Sequence, residues 1–402
     1  MAIAIPEAEA LDRKTLTADV LFIYPDGHQA FGFPLGVATL MPILRNNGLK
    51  IDFLDASSKN LPIEKVVQYV LETKPKIVAF TGMVHTSDWN RDASRILGEK
   101  VPSLIQIAGG SWANPAPKFV LQNTSIDYVI KGEVDEVISD FIKNLLNDKP
   151  VDHLRGLCFV NSSGQYIENP NPDRPKEIDK IPYPAYDMVD LEYYIIKVKA
   201  KHWHWLQKRV PLLSREEANK TLRIASVTSG RGCYGKCDFC AAADTWRRTN
   251  SPKYIVGNME FLMKRYNVNT FNFNESLTLS HTKWVKSLCR EIIDRKLNIY
   301  WYGLSRGDFP YDEELLDLLY ESGCVGVDVG YESGSNRMLH DMRKYITVEQ
   351  YYKSHKDFTD KGLMVYGQFF TNMPGETLES LDETIDFVKK TRMLFIVFRF
   401  CV

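Results

Sequence analysis

The stretch Cys233-Tyr-Gly-Lys-Cys237-Asp-Phe-Cys240 indicates the fold of this 402-residue chain. Three cysteines at a CxxxCxxC spacing follow the apolar run of residues 224–229 and a Gly-Arg-Gly turn. Thiolates are suitable ligands for iron–sulfur clusters and for zinc, and both normally take four protein ligands in a closed site. Three close cysteines without a fourth therefore favour a cluster with one open iron, where a substrate or cofactor can bind.

Two other interpretations of the cysteines remain open at this point. A structural zinc knuckle would need a fourth ligand, which His202 or His204 could supply, although the spacing is not the paired CxxC of zinc ribbons. A disulfide framework is disfavoured by the odd count of seven cysteines and by the length of the chain. The remaining four cysteines lie in apolar surroundings and are expected to be structural: Cys158, Cys289, Cys324 and Cys401.

The composition is that of an ordinary globular protein. Apolar residues make up 44% of the chain, charged residues 25%, and the net charge is −1. The charge gives no electrostatic support for a nucleic-acid partner, and no apolar run is long enough to cross a membrane. The N-terminus lacks the basic region of a signal peptide. We expect a cytoplasmic protein of two or three domains, with a flexible tail over residues 1–17.

The segment 18–148 alternates short apolar strands with amphipathic helices, a pattern typical of a doubly wound parallel sheet. Ligands of such sheets bind outside the carboxyl ends of the strands, where the loops are rich in Gly, Ser, Thr and Asn. The absence of GxGxxG after the first strand disfavours a dinucleotide ligand. The predicted strands cover residues 19–24, 50–55, 76–81, 104–109 and 128–130.

Residues 149–222 are predicted to connect two domains and to contain a β-hairpin around a turn at 161–164. From residue 223 to 402 the pattern predicts six strand–helix units, a partial (β/α)6 barrel. The cysteine stretch follows its first strand, at the end where barrels carry their chemistry. The chain stops on an apolar strand, so we expect a truncated sequence. The predicted strands cover residues 224–229, 270–274, 298–303, 325–331, 364–370 and 394–400.

The three cysteines, with Phe239 before the last of them and a strand ahead, resemble the signature of radical S-adenosylmethionine (radical SAM) enzymes. The pieces Pro34-Leu-Gly, Ala108-Gly-Gly-Ser-Trp and Lys131-Gly-Glu-Val-Asp-Glu136 are similar, in this order, to the cobalamin-binding domain that precedes many radical SAM domains. The resemblance implies a 4Fe–4S cluster, S-adenosylmethionine (SAM) and cobalamin as cofactors.

The resemblance also implies site residues. Cysteines 233, 237 and 240 would hold the cluster. The stretch 372–377 is similar to a Gly-x-Pro-Gly-Glu-Thr motif, but with Asn372 in place of the usual glycine. The residues expected to contact SAM are Asn274, Glu275, Ser305, Arg306, Glu332, Ser333, Pro374 and Gly375. Those expected to contact cobalamin are His28, Thr81, Gly109, Gly110, Gly132 and Glu133.

His28 has two possible roles. It lies in a DxHxxxG stretch, which is one residue longer than the DxHxxG motif in which mutase-type domains supply a cobalt ligand. His28 is therefore either a loop residue near the corrin or a ligand of cobalt. His85 is expected to be a loop contact.

The resemblance implies a methyltransferase that acts on an unactivated carbon of a small molecule or peptide and is reduced by a flavodoxin or ferredoxin. A radical step needs no acid or base, so we assign no catalytic residue. One alternative is an oxidoreductase or cyclase of the type that acts on Mg-protoporphyrin ester. An alternative of another class is a non-catalytic corrinoid carrier with a structural metal knuckle.

Overall fold

The computed structural model describes residues 17–26, 32–195, 222–393 and 395–400. The chain divides into two compact units, Met1–Tyr194 and Ile195–Val402. Within the described ranges, no helix is long and apolar enough to cross a membrane.

The first unit is built on a seven-stranded sheet with the order β2-β1-β3-β4-β5-β6-β7. The first five strands are parallel and fall within two residues of the predicted limits, so the predicted doubly wound α/β fold is confirmed. The strands are β1 (Val20–Tyr24), β2 (Ile51–Asp55), β3 (Ile77–Phe80), β4 (Ile105–Ala108), β5 (Tyr128–Ile130), β6 (Leu157–Val160) and β7 (Tyr166–Glu168).

The hairpin β6–β7 belongs to this sheet rather than to a separate connection. It pairs with β5 in the antiparallel sense, through Ile130 and Leu157 among others. An unpaired β5 would leave a row of backbone groups exposed, and the buried side chains Leu157, Cys158 and Phe159 complete the core at this edge. The sheet of the first unit therefore extends past residue 148, into the segment predicted as a connection.

Helices cover the first sheet. The helix after β5 begins at Ile138 and follows a turn in which the Val137 amide donates to the Val134 carbonyl at 3.0 Å. The helices are α1 (Leu35–Asn46), α2 (Ala56–Lys59), α3 (Ile63–Thr73), α4 (Ser87–Lys100), α5 (Pro117–Asn123) and α6 (Ile138–Leu146).

The second unit is a half-barrel of six parallel strands with the order β15-β14-β13-β12-β11-β8, as predicted. A separate two-stranded ribbon, β9–β10, follows the first of these strands. The strands are β8 (Ile224–Val227), β9 (Gly230–Arg231), β10 (Arg248–Thr249), β11 (Thr270–Phe273), β12 (Tyr300–Ser305), β13 (Cys324–Glu332), β14 (Met364–Thr371) and β15 (Phe395–Phe400).

One face of the half-barrel sheet packs on helices. Tyr331 of β13 is buried against Tyr351 and Phe387, with ring centroids 4.8 and 5.2 Å away. Neighbouring residues of a strand point to opposite faces, so Asp328 and Gly330 of the same strand face the inside of the half-barrel. The helices are α7 (Pro252–Tyr266), α8 (Thr282–Asp294), α9 (Glu313–Glu321), α10 (Asn336–Asp341), α11 (Val348–Asp360) and α12 (Leu378–Thr391).

Candidate functional site

The three cysteines lie on the loop between β9 and β10, and backbone bonds within the loop fix its shape. Thr245 links its two ends: its amide donates to the Cys233 carbonyl at 3.2 Å, and its hydroxyl accepts from the Cys233 amide at 3.1 Å. The Asp244 amide donates to the Gly235 carbonyl at 2.7 Å. The loop is thus held closed at its base by the ribbon and by these bonds.

Gly232 is required where the loop leaves β9. Its φ is +85°, and a Cβ built there would lie 2.4 Å from the Trp246 carbonyl oxygen. Any side chain at this position would combine a left-handed backbone with a clash against fixed main chain. The glycine between the ribbon and Cys233 therefore allows the two sides of the loop to approach each other.

The three cysteines differ in exposure: Cys237 is buried, Cys233 is half-buried and Cys240 is exposed. In the part of the chain that the structure describes, no three His, Cys, Asp or Glu side chains converge as they would around one metal ion. A four-iron cluster does not require such convergence, because each of its cysteines binds a different iron atom. His202 and His204, considered as a fourth zinc ligand, lie outside the described residues.

Arg306 follows β12 and connects the end of that strand to the cysteine loop. Its Nη1 donates toward Cys237 Sγ at 3.9 Å, while Nε and Nη2 pair with the two carboxylate oxygens of Asp308 at 2.9 and 3.1 Å. Burial opposes the charge, but hydrogen bonding and attraction to Asp308 outweigh it and raise the pKa of the guanidinium. Arg306 is thus paired with Asp308 through two of its nitrogens and contacts the cysteine loop through the third.

Glu332 lies at the end of β13 and forms a buried ion pair with Lys344 at 2.7 Å. The same ammonium donates to the Gly330 carbonyl at 2.5 Å, and the Lys344 carbonyl accepts from Arg306 at 2.9 Å. Arg306 and Glu332, both predicted to contact SAM, are thus brought together around Lys344 at one edge of the half-barrel.

Glu275, just after β11, forms the second buried ion pair of this edge. Its carboxylate accepts from the Ser229 amide at 3.1 Å, from the Ser229 hydroxyl, and from Arg247 Nη2 at 2.8 Å. The side chains of Arg247 and Glu275 are only 6% and 2% exposed. Nε and Nη1 of Arg247 have no hydrogen-bond partner among the described residues. Buried donors of this kind normally meet an acceptor, and they fit the carboxylate of SAM or the sulfides of a cluster.

Three of the other residues predicted to contact SAM lie at neighbouring strand ends and form hydrogen bonds within the second unit. Ser305 is a buried residue of β12, and its hydroxyl donates to the Arg306 carbonyl at 3.0 Å. The Ser333 hydroxyl contacts that of Thr384 at 3.1 Å. Asn274 is exposed after β11, and its backbone N–H donates to the Val227 carbonyl at 2.9 Å. The structure places all three at the carboxyl ends of their strands.

Pro374 and Gly375 form an exposed turn after β14, where the Gly375 carbonyl accepts from Arg337 at 3.0 Å. Asn372, which stands where the related motif has glycine, adopts a φ of +64°. Asparagine tolerates this left-handed conformation better than most residues. The backbone N–H of Asn372 donates to the Glu376 carboxylate at 2.7 Å, so the turn forms without the glycine.

At the carboxyl edge of the first sheet, the loops after β3, β4 and β5 approach each other closely. A Cβ on Gly110, whose φ is +78°, would lie 3.1 Å from Thr81 Oγ1, and one on Gly109 would lie 3.3 Å from the Ile130 carbonyl. Trp112 Nε1 and Asn114 Oδ1 in the same loop are buried and have no partner within the described ranges. Side-chain-free backbone and unpaired polar atoms fit a broad ligand with many amides, such as cobalamin.

The remaining residues predicted to contact cobalamin are less closely grouped. Gly132, with φ +82°, lies against Pro172, where a Cβ would be 3.1 Å from the ring. Glu133 lies 4.0 Å from Arg174. His85 is exposed in a short 3-10 turn after β3. His28 lies outside the described residues.

Sequence reasoning missed four residues of the second unit that hold this site together. Arg247, Lys344 and Thr245 each contact a predicted residue at least 12 positions away in sequence, whereas Asp308 lies two residues from its partner Arg306. The adjacent pair Arg247-Arg248, directly after the cysteine loop, was a detectable signal, because two neighbouring cations beside thiolates suggest an anionic partner.

Two family models match the chain. The radical SAM superfamily model matches residues 227–388, and the B12 binding domain model matches residues 29–142. The first unit therefore contains a B12-binding domain, and the second contains a radical SAM domain. The chain belongs to the cobalamin-dependent radical SAM enzymes, whose cofactors are a 4Fe–4S cluster, SAM and cobalamin.

Relatives with this architecture have different activities. The anaerobic magnesium-protoporphyrin IX monomethyl ester cyclase of Rubrivivax gelatinosus is 26% identical over 381 residues, which cover 91% of this chain but 64% of the relative. The cytidylyl-2-hydroxyethylphosphonate methyltransferase of Streptomyces wedmorensis is 22% identical, over 89% of this chain and 73% of the relative. The chain thus spans less than two thirds of the cyclase.

A solved structure shows the same fold. The radical SAM methyltransferase TsrM from Kitasatospora setae, with tryptophan and a SAM analogue bound, superposes with a TM-score of 0.75. The superposition covers 94% of this chain and 72% of the other, at 18% sequence identity.

Proposed function

We propose that this protein is a cobalamin-dependent radical SAM methyltransferase that methylates an unactivated carbon. The observation that carries the proposal is the cysteine loop at the carboxyl end of β8, in one chain with a B12-binding unit. Methyltransferases are among the relatives, including one that methylates a cytidylyl phosphonate and another described as a tryptophan 2-C-methyltransferase. When bound, the reduced cluster supplies an electron that cleaves SAM, and methylcobalamin supplies the methyl group.

The protein's own residues bind and orient these groups. Cys233, Cys237 and Cys240 hold the cluster, and Arg306 stabilises thiolate charge at Cys237. Arg247 offers two buried donors to an anion beside Glu275. Because a 5′-deoxyadenosyl radical would react with whatever lies near it, the main task of these side chains is positioning.

A second candidate is a radical cyclase or oxidoreductase. The observation that favours it is the similarity to the Rubrivivax gelatinosus cyclase, which extends over both units of this chain. The cysteine loop and half-barrel suit this chemistry equally well. The two candidates differ in the products that they form from SAM. Only methyl transfer converts part of the SAM to S-adenosylhomocysteine.

We propose further that a flavodoxin or ferredoxin in the cytoplasm supplies the electrons, and that the substrate is a small molecule or a peptide. The net charge of −1 offers no general attraction for a polyanion.

The test is anaerobic reconstitution with iron, sulfide and cobalamin, followed by reduction with dithionite and addition of SAM. A methyltransferase should show the visible absorption of a 4Fe–4S cluster and of bound cobalamin. With substrate, it should form S-adenosylhomocysteine and 5′-deoxyadenosine in equal amounts. Formation of 5′-deoxyadenosine alone, with a dehydrogenated or cyclised product, would support the second candidate. A protein that binds cobalamin but does not cleave SAM would be a corrinoid carrier.

Cys237→Ala should abolish both the cluster and SAM cleavage, because the remaining two thiolates cannot hold a site-differentiated cluster. Cys289→Ala is the matched control. Burial raises the pKa of the Cys289 thiol to about 12, so this side chain is an inert member of the core and its loss should leave the iron content unchanged. Cleavage that survives in Cys237→Ala would refute the site assignment.

A further inference from the structure

Lys344 is a buried lysine that links the end of β13 to the cysteine loop. Its side chain is 5% exposed, and its ammonium donates to Glu332 Oε1 at 2.7 Å and to the Gly330 carbonyl at 2.5 Å. Its own carbonyl accepts from Arg306 Nη2 at 2.9 Å, and Nη1 of the same guanidinium donates toward Cys237 Sγ. One residue therefore contacts both a carboxylate predicted to bind SAM and the arginine that reaches a predicted cluster ligand.

The backbone next to Lys344 contacts the cysteine loop a second time. The Met342 carbonyl accepts from the Asp238 backbone N–H at 3.1 Å, and Arg343 Nη1 pairs with the Asp238 carboxylate at 3.3 Å. Arg343 has a φ of +54°, a left-handed conformation that is uncommon for residues other than glycine. Residues 342–344 thus form a strap that joins the end of β13 to the cysteine loop through both side-chain and main-chain hydrogen bonds.

The geometry of β13 brings Glu332 to Lys344. The pairing register with β14 shifts between Gly330 and Glu332, and Glu332 has a φ of +63°. A Cβ on Gly330 would lie 2.4 Å from Glu332 Oε1 and 3.2 Å from Lys344 Nζ, so the absence of a side chain at Gly330 makes room for the ion pair. Strand irregularities and left-handed residues occur preferentially at functional sites, where the surrounding structure holds an unfavourable backbone in place.

The ion pair fixes one oxygen of the Glu332 carboxylate and leaves the other open. Oε2 of Glu332 has no hydrogen-bond partner in the part of the chain that the structure describes, and it is not sealed from solvent. A carboxylate that is held at one oxygen keeps one orientation, and its second oxygen can accept hydrogen bonds from a ligand. Without the ammonium, the carboxylate would lose both its charge partner and this orientation.

We propose that Lys344 is a positioning residue for SAM. Its ammonium holds the Glu332 carboxylate in the orientation that binds SAM, and the strap holds the cysteine loop at a fixed position relative to that carboxylate. The inference rests on the proposed function only in that SAM binds beside the cluster, which a methyltransferase and a cyclase both require. Because Lys344 acts through Glu332, loss of its ammonium should weaken SAM binding while the cluster still assembles.

The test compares the unaltered protein with Lys344→Met, which removes the ammonium and retains most of the aliphatic length. Both are reconstituted with iron and sulfide, and the binding of labelled SAM to the oxidised protein, which does not cleave it, is measured by anaerobic equilibrium dialysis. Lys344→Met should bind SAM at least about tenfold more weakly, because Glu332 loses the partner that orients it. Its iron content should be unchanged, since the main-chain bonds of the strap remain.

Two further variants separate positioning from general stabilisation. Lys344→Arg keeps a cation beside Glu332 and should restore most of the SAM affinity. Lys286→Met is the matched control, because Lys286 of α8 is also a largely buried lysine, 12% exposed, and is paired with Asp312 and Glu314. This variant loses an ion pair of the same unit and should bind SAM as the unaltered protein does.

A double variant keeps the proposal testable if Lys344→Met does not fold. Glu332→Gln combined with Lys344→Met leaves no unpaired charge behind and should fold. Since the lysine acts through Glu332, its removal should add nothing once the carboxylate is gone. Glu332→Gln and the double variant should therefore bind SAM with affinities within about twofold of each other.

Three results would each overturn the proposal. They are normal SAM binding by Lys344→Met, a parallel loss of iron and of SAM binding in folded Lys344→Met, and SAM binding by the double variant that is about tenfold weaker than by Glu332→Gln. A failure of the proposed function would instead appear in the unaltered protein, which would then not cleave SAM after reduction.

Discussion

Arg306 is one of the residues through which the half-barrel contacts the cysteine loop. Its guanidinium donates toward the Cys237 sulfur and pairs with both carboxylate oxygens of Asp308. The guanidinium carbon also lies over the ring of Tyr234, 5.6 Å from the ring centroid. Burial raises the pKa of Tyr234 to about 12, so the phenol stays neutral beside the cation. The sequence predicts a SAM contact at Arg306, and the structure adds a contact with Cys237, one of the three predicted cluster ligands.

Replacing Arg306 with Gln should lower the midpoint potential of the cluster, on the order of tens of millivolts, because hydrogen bonds to cysteine sulfur stabilise the reduced, more negative cluster. The measurement is a redox titration of the reconstituted protein followed by electron paramagnetic resonance. Arg290→Gln, at an exposed ion pair with Glu314, is the control and should leave the potential unchanged. An unchanged or higher potential in Arg306→Gln would contradict this role.

Asp328 should make the stability of the protein depend on pH. Its pKa is raised by burial to about 6, above its value in an unfolded chain. The folded state therefore binds the proton more tightly, and stability from this group is full below about pH 4 and is lost as the pH rises through 6. Asp328→Asn lacks this loss and should gain stability relative to the unaltered protein at pH 8, on the order of 2–3 kcal/mol at most.

Thermal unfolding of the two proteins at pH 5 and pH 8 measures this effect. The difference in melting temperature should grow with pH. A difference that is constant, or that shrinks toward pH 8, would show that the carboxylate is not destabilised by burial.

At the scale of elements, the cysteine loop is closed at its base by hydrogen bonds. The β9–β10 ribbon closes it, and Thr245 joins its ends. Gly232→Ala would introduce a Cβ 2.4 Å from the Trp246 carbonyl at a φ of +85°.

We expect Gly232→Ala to reduce the iron bound after reconstitution severalfold, since the two sides of the loop could no longer approach each other. Gly164→Ala is the matched control, with a similar φ of +79° but open space around it, in the β6–β7 turn. Iron content and circular dichroism would be measured for both. Full cluster occupancy in Gly232→Ala would show that the loop tolerates a wider opening.

The elements themselves were largely predictable from sequence, and their partners were not. Apolar runs of strand length gave β1 to β5 and the half-barrel strands to within a few residues. Local sequence patterns do not show which sheet edge a hairpin pairs with. The hairpin β6–β7 is therefore predicted in the connecting segment, whereas the structure pairs it with β5. Site residues that occur in motifs could be named in advance. Arg247 and Lys344 could not, because their roles come from pairings that the fold creates.

At the scale of the whole molecule, each unit has its own sheet and its own hydrophobic interior. The first unit buries a cluster that runs from Leu21 through Phe80 to Cys158, and every member of this cluster lies within that unit. A domain with a contiguous core can fold alone.

A fragment of residues 1–194 should therefore unfold cooperatively and retain hydroxocobalamin through gel filtration. Gly110→Val provides the contrast, because a branched side chain at φ +78° beside Thr81 would fill the edge where the ligand is expected. The fragment with Gly110→Val should remain folded and lose the cobalamin absorbance. A fragment that does not bind cobalamin, or a variant that binds it fully, would place the corrin elsewhere.

Asn372 has a consequence for how such proteins are detected. The turn after β14 requires a backbone conformation that glycine adopts easily, and here an asparagine adopts it at φ +64° while Glu376 holds its amide. What this turn requires at position 372 is thus a backbone conformation rather than glycine itself. Search patterns that insist on glycine will overlook chains in which asparagine adopts the same conformation.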